Sequence, residues 1–105
     1  MKNKQSVIAW SKSLLSKTDQ YANEGFSGFF LALQEVDEGW ILGLDWLNDI
    51  CLGELILGKG AYDEAILLRD VAQSIFKDHV NIYLTPIDYQ NAIRRAGISQ
   101  EEELH

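Results

Sequence analysis

Phe29-Phe30-Leu31-Ala32-Leu33-Gln34-Glu35-Val36-Asp37-Glu38-Gly39-Trp40-Ile41-Leu42-Gly43-Leu44-Asp45-Trp46 is the stretch that decides the fold. Read with a helical period, Phe30, Leu33, Trp40, Leu44 and the following Leu47 form a stripe, and the chain becomes mainly α. Read with a period of two, Phe29–Val36 and Trp40–Trp46 are strands joined by Asp37-Glu38-Gly39. A three-residue loop ending in glycine suits a type I turn followed by a left-handed residue, because glycine takes positive φ without penalty. The second strand alternates, with Trp40, Leu42, Leu44 and Trp46 on one face and Ile41, Gly43 and Asp45 on the other. The hairpin is the reading adopted, and the mainly α chain is its alternative.

The flanks support the hairpin. Residues 4–17 predict a helix, with Val7, Trp10 and Leu14 on one face and Ile8 and Leu15 beside them. Residues 18–28 are rich in Asn, Asp, Ser and Gly and read as a loop, with some extra helix before it as the alternative. Leu47–Leu57 reads as a short helix with Leu47, Ile50, Cys51 and Leu55 inward, stopped by Gly58-Lys59-Gly60. Asp63–Lys77 predicts a helix whose inner face is Ile66, Leu67, Val71, Ser74 and Ile75, with Asp63 and Glu64 complementing the dipole at its start. His79–Leu84 alternates as a strand. A lone strand leaves its backbone groups unpaired, so this segment needs the hairpin as partner. Thr85-Pro86-Ile87-Asp88 starts a helix, with Thr85 as cap and Pro86 at the first helical position. That helix ends at Ala96, with Gly97 as a left-handed stop. The expected fold is α+β, a small helix-rich domain in the order α-β-β-α-α-β-α around a three-stranded sheet. Residues 1–98 are expected to form one globular domain and residues 99–105 an acidic tail.

The 105 residues carry a net charge of −7, unevenly distributed. Residues 1–17 contain Lys2, Lys4, Lys12 and Lys17 and no acid. Residues 18–58 contain Asp19, Glu24, Glu35, Asp37, Glu38, Asp45, Asp49 and Glu54 and no base. Residues 59–95 balance, and the tail adds Glu101, Glu102 and Glu103. Such a field repels nucleic acid and attracts basic partners. The one cysteine, Cys51, cannot pair within the chain, which favours a reducing compartment. The first apolar stretch is broken by Ser11, Lys12 and Ser13, unlike a signal peptide. The longest, Trp40 to Leu57, holds Asp45, Asp49 and Glu54, unlike a membrane span. A cytoplasmic location and no membrane contact are expected.

Catalytic signatures are sparse. No nucleophile elbow, zincin pattern, Walker loop or dinucleotide fingerprint occurs. Gly58-Lys59-Gly60 lacks the upstream glycine and the Ser or Thr of a phosphate loop, so it reads as a helix stop. Asp45 and Asp49 would share a face only if that span were helical, with Glu54 extending the strip. No cleft is marked around them, and solvated carboxylates are the plainer reading. Cys51, His79 and His105 have no metal-ligand spacing, so no metal or other cofactor is expected. Cys51 reads as a small core residue, its reactivity blunted by acidic surroundings. Ala92 to Glu101 resembles the turn of a helix-turn-helix. The would-be recognition helix, however, is Gln-Glu-Glu-Glu-Leu-His, which repels phosphate.

The acidic block carries the functional content. Its acids interleave with Tyr21, Phe26, Phe29, Phe30, Trp40 and Trp46, and interfaces favour aromatic anchors. The expectation is a non-enzymatic domain that binds a basic protein, as an inhibitor of a nuclease toxin or defence component would: an immunity protein, antitoxin or anti-defence protein. Asp37, Glu38, Asp45, Asp49 and Glu54 would steer and pair charges, and Trp40 or Trp46 would anchor if exposed. A homodimer is compatible with this reading. The alternatives are a nucleic-acid-binding or transcriptional regulator built on residues 86–105, and a small enzyme subunit with a carboxylate site. Nucleic acid is the less expected partner on charge alone.

Overall fold

The structure is a computed structural model that describes residues 1–24, 28–47 and 50–97. Its elements are α1 (Lys4–Ser13), α2 (Leu15–Ala22), β1 (Gly28–Val36), β2 (Gly39–Trp46), β3 (Ile50–Gly58), α3 (Tyr62–Phe76), β4 (Asn81–Tyr83) and α4 (Pro86–Arg95). The hairpin is present, and the sheet has four strands rather than three, in the order β3-β2-β1-β4. β1 runs antiparallel to β2 and parallel to β4. Gly39 opens β2 at φ 117°, so the positive φ expected at the turn falls on the expected glycine.

The fourth strand is the segment read as a helix. β3 pairs antiparallel with β2, but two residues interrupt the alternation. Leu44 faces Gly53 and Asp45 faces Cys51, leaving Leu52 as an extra residue; Trp40 faces Gly58 and Ile41 faces Ile56, leaving Leu57 as another. Each bulge flips the phase of the strand. The core-facing apolar residues thus fall at Ile50, Leu52, Leu55 and Leu57, and the three-residue gap between Leu52 and Leu55 imitates a helical step.

The first predicted helix is two. Leu14 separates α1 from α2, its N–H donating to the Ser11 carbonyl at 3.1 Å while its own carbonyl accepts from the Thr18 N–H at 3.0 Å, and α2 carries the chain through the first residues of the 18–28 segment, as further helix before the loop. Asn3 caps α1, its side chain accepting from the Ser6 N–H at 3.0 Å. In α3 the buried face is Ala65, Leu68, Ala72 and Phe76, rotated from the predicted one. Leu67 and Ser74 face solvent. Small residues at 65 and 72 let the helix approach closely, which outweighs the larger apolar area of Leu67. Glu64 accepts from the Ala61 N–H at 3.1 Å, one half of a capping box, since Ala61 has no side-chain acceptor to return. α4 begins as expected: Thr85 accepts from the Asp88 N–H at 3.1 Å, Pro86 sits at the first position, and Gly97 follows at φ 79°.

α1 and α3 cover one face of the sheet. Between them and the sheet lie Val7, Leu14, Phe29, Leu31, Leu42, Leu44, Trp46 and Phe76. Leu14 fits against Gly53, where a side chain would strike its methyl groups. α4 packs on the opposite face at the β1–β4 end, where Tyr89 meets Phe30 and Tyr83 at ring separations of 5.6 and 5.8 Å. The Tyr89 hydroxyl accepts from the Leu47 N–H at 3.0 Å, and burial pushes that phenol up to about 12. Leu47 sits at φ 55°, a left-handed conformation unfavourable for leucine. Tyr89→Phe is expected to cost about 1–2 kcal/mol by leaving that N–H without this acceptor. Urea unfolding of the variant checks it, and an unchanged midpoint would show that the bond contributes nothing.

Candidate functional site

The face of the sheet opposite α1 and α3 is the candidate site. Three cross-strand rows make it up: Phe30–Asp45–Cys51, Ala32–Gly43–Glu54 and Gln34–Ile41–Ile56. Among the described residues, α4 covers the Phe30 end and leaves most of the rest open. Ile56 is 54% exposed in spite of its apolar side chain, and Ile41 beside it is half-buried. Glu54 lies across Gly43, so the absence of a side chain there gives its stem a place to rest. Beyond the Ile41–Ile56 row lies the hairpin turn with Asp37 and Glu38, both exposed. An apolar centre thus has one acidic pair at the turn and another, Asp45 and Glu54, on the far side. Asp45 is six residues from Gly39, so the surface spans about 20 Å along the strands. An apolar centre with a charged rim is the anatomy of protein interfaces.

The predicted site residues separate into two faces. Asp45 and Glu54 come together on the open face, with Asp37 and Glu38 at its end. Trp40 and Trp46 point the other way. Trp46 is buried in the main core with its ring 4.8 Å from that of Tyr21. Trp40 is half-buried, 5.4 Å from the Tyr62 ring, and its indole N–H donates to the Gly60 carbonyl at 3.0 Å. Exposure, the condition for either tryptophan to anchor a partner, is absent at Trp46 and partial at Trp40. Ile41 and Ile56 hold the central position instead. Asp49 and Phe26 lie outside the described residues, as do His105 and the acidic tail; of the span with the helix-turn-helix resemblance, Ala92 to Gly97 form the end of α4 and its stop, and the remainder lies outside the described residues. Asp45 lies on a strand, so the helical strip of paired carboxylates does not form.

Cys51 is exposed rather than in the core, because β3 is a strand and residue 51 faces away from the helices. Its thiol is raised above the ordinary range by burial of the sulfur, with the charges of Asp45 and Glu54 adding to the rise and a contact with the Gly53 carbonyl opposing it. The thiol is therefore a weak nucleophile. His79 faces Asp19 at 4.0 Å, away from Cys51 on the sheet face. Among the described residues no three His, Cys, Asp or Glu side chains could hold a metal ion, and no helix is long and apolar enough to cross a membrane.

The basic N-terminal segment works at the sheet edge. The Lys17 ammonium donates to the Leu52 carbonyl at 3.4 Å, and the Lys2 backbone N–H donates to the Leu57 carbonyl at 2.6 Å. Both acceptors belong to β3, the long edge strand. Lysines and covering segments blunt such edges against pairing with other chains.

Burial holds the Asp45 carboxyl above its usual range, and the Glu54 charge adds to the rise while the Cys51 thiol opposes it. The folded chain thus holds this proton more tightly than the unfolded one. Stability from this group is present below the ordinary carboxylate value, about 4, and is lost as pH rises through the raised one. Asp45→Asn is expected to make the protein slightly more stable at neutral pH, with the difference closing in acid. Melting curves across a range of about pH 3 to 7 test the sign, and a variant less stable at neutral pH would contradict it.

The chain matches no family model, no curated protein and no solved structure.

Proposed function

We propose that this chain is a non-enzymatic binding domain that holds a basic protein against the open face of its sheet. The observation that carries the reading is the Ile41–Ile56 pair, with Ile56 exposed, between two acidic pairs on a face only partly covered by a helix. Exposed aliphatic residues in the middle of a sheet face are a liability for an isolated domain, and a partner removes it. Asp45 adds support, since burial holds its carboxyl above the usual range and it sits where a partner's cation would meet it. Asp37, Glu38, Asp45 and Glu54 steer and select the partner, and Ile41 and Ile56 supply the desolvated centre. A domain of this kind suits inhibition of a protein built to hold phosphate, such as a nuclease toxin or a defence component, by covering its basic site.

Affinity capture from the source lysate at low and high salt tests the reading, with Ile56→Lys as control. The expected result is a discrete basic protein, recovered at low salt, reduced at high salt and lost with the variant. Recovery of no basic protein, or equal recovery by the variant, would contradict it.

A further inference from the structure

We propose that the cleft between the free edge of β4 and the flank of α4 is a self-association surface, filled by a second copy of this chain across a two-fold axis. β4 ends the sheet, and no other strand pairs with its outer side among the described residues. Beside it lies a cleft of about 310 Å³, walled by Ile82, Tyr83 and Leu84 on the strand side and by Asp88, Asn91 and Arg95 on the helix side. Positions 88, 91 and 95 are three and four apart, so they form one flank of α4.

The charge order along that flank identifies the occupant. It runs acid, amide, base. A two-fold axis near Asn91 sets two such flanks antiparallel, so that Asp88 of each copy faces Arg95 of the other and the two Asn91 side chains meet at the axis. This is the self-complementarity an isologous interface requires. The Thr85 hydroxyl donates to the Asp88 carboxylate at 2.8 Å and holds it at the start of the helix. Ile87, 71% exposed and one turn before Asn91, adds apolar area beside the stripe. Below the helices, the free edges of β4 pair antiparallel and join the two sheets. The strand is three residues long, so the interface belongs to the small, salt-sensitive class. It lies at the opposite edge of the sheet from β3 and does not depend on the partner-binding reading.

Light scattering and sedimentation of the full chain test it. The wild type should show twice the chain mass at high protein concentration and low salt, dissociating on dilution or added salt. Asp88→Lys and Arg95→Asp should each weaken association roughly tenfold or more, because each sets like charges opposite one another twice. An equimolar mixture of these two variants should recover the dimer, since both pairs become complementary again. Because Asp88 also serves the helix start, Asn91→Arg is a separate probe that sets two cations at the axis and should give a monomer with unchanged circular dichroism. A wild type monomeric under all conditions, variants that stay dimeric, or a mixture no better associated than its components would each overturn the proposal.

Discussion

Truncating Phe76 to alanine is expected to lower the folding free energy by about 3–5 kcal/mol. Phe76 is fully buried at the last inward position of α3. Its ring meets Trp10 of α1 edge-on at 6.0 Å, with the planes 89° apart. It therefore joins the two helices to each other as well as to the sheet. Truncation removes the transfer energy of the ring, leaves a cavity and breaks the aromatic contact. A domain of this size has a total stability of about 5–15 kcal/mol, so the variant should be near its unfolding threshold at ordinary temperature. Urea titration measures the loss. The control is Leu67→Ala on the outer side of the same helix, where 63% exposure limits the effect to about 0.5 kcal/mol. Equal losses at the two positions would mean that α3 is rotated from the orientation described.

Gly39→Val is expected to cost about 2–4 kcal/mol. Gly39 has φ 117°, which a β-branched residue resists. A side chain there would also land on the Gly58 carbonyl and the Lys59 backbone nitrogen, where β3 leaves the sheet. Neither obstacle is the tip of a flexible side chain, so hairpin and β3 must separate for the valine to fit. Gly97→Ala isolates the conformational component. Gly97 also has positive φ, at 79°, but no described residue stands within 4 Å of the added carbon. Its cost should be about 1 kcal/mol. Melting temperatures of the two variants check the difference, and equal shifts would show that the close approach at Gly58 contributes nothing.

The elements legible in the sequence are those defined by local signals. Thr85-Pro86 and Gly97 bound α4 because caps and stops act within a turn of the residues that make them. The hairpin was legible because Trp40 to Trp46 alternates without interruption. β3 was hidden by its bulges, which depend on pairing with β2 and leave a helix-like spacing in the chain. The face of α3 was hidden because Ile66, Leu67, Leu68, Val71, Ala72, Ile75 and Phe76 offer more apolar residues than one stripe can bury. Small size at Ala65 and Ala72 selects the face, and it does so only against a sheet. The acids of the candidate site were legible from charge alone, and the separation of Asp45 from the tryptophans followed from strand alternation. Ile56 was missed because a helical reading of Leu47–Leu57 gives it no special exposure. With β3 as a strand, its place opposite Ile41 comes from register.

Cys51 provides a direct test of whether a basic protein binds the open sheet face. It is the chain's one cysteine, and it lies across from Asp45 on that face. Alkylation with a bulky maleimide, driven to completion at mildly alkaline pH because the thiol is raised and verified by the added mass, places an obstruction there without touching the main core or the β4 edge. Capture from lysate at low salt should then compare the alkylated chain with the untreated one. The basic protein recovered by the untreated chain should be lost on alkylation while circular dichroism is unchanged. Equal recovery by both forms would contradict binding at this face.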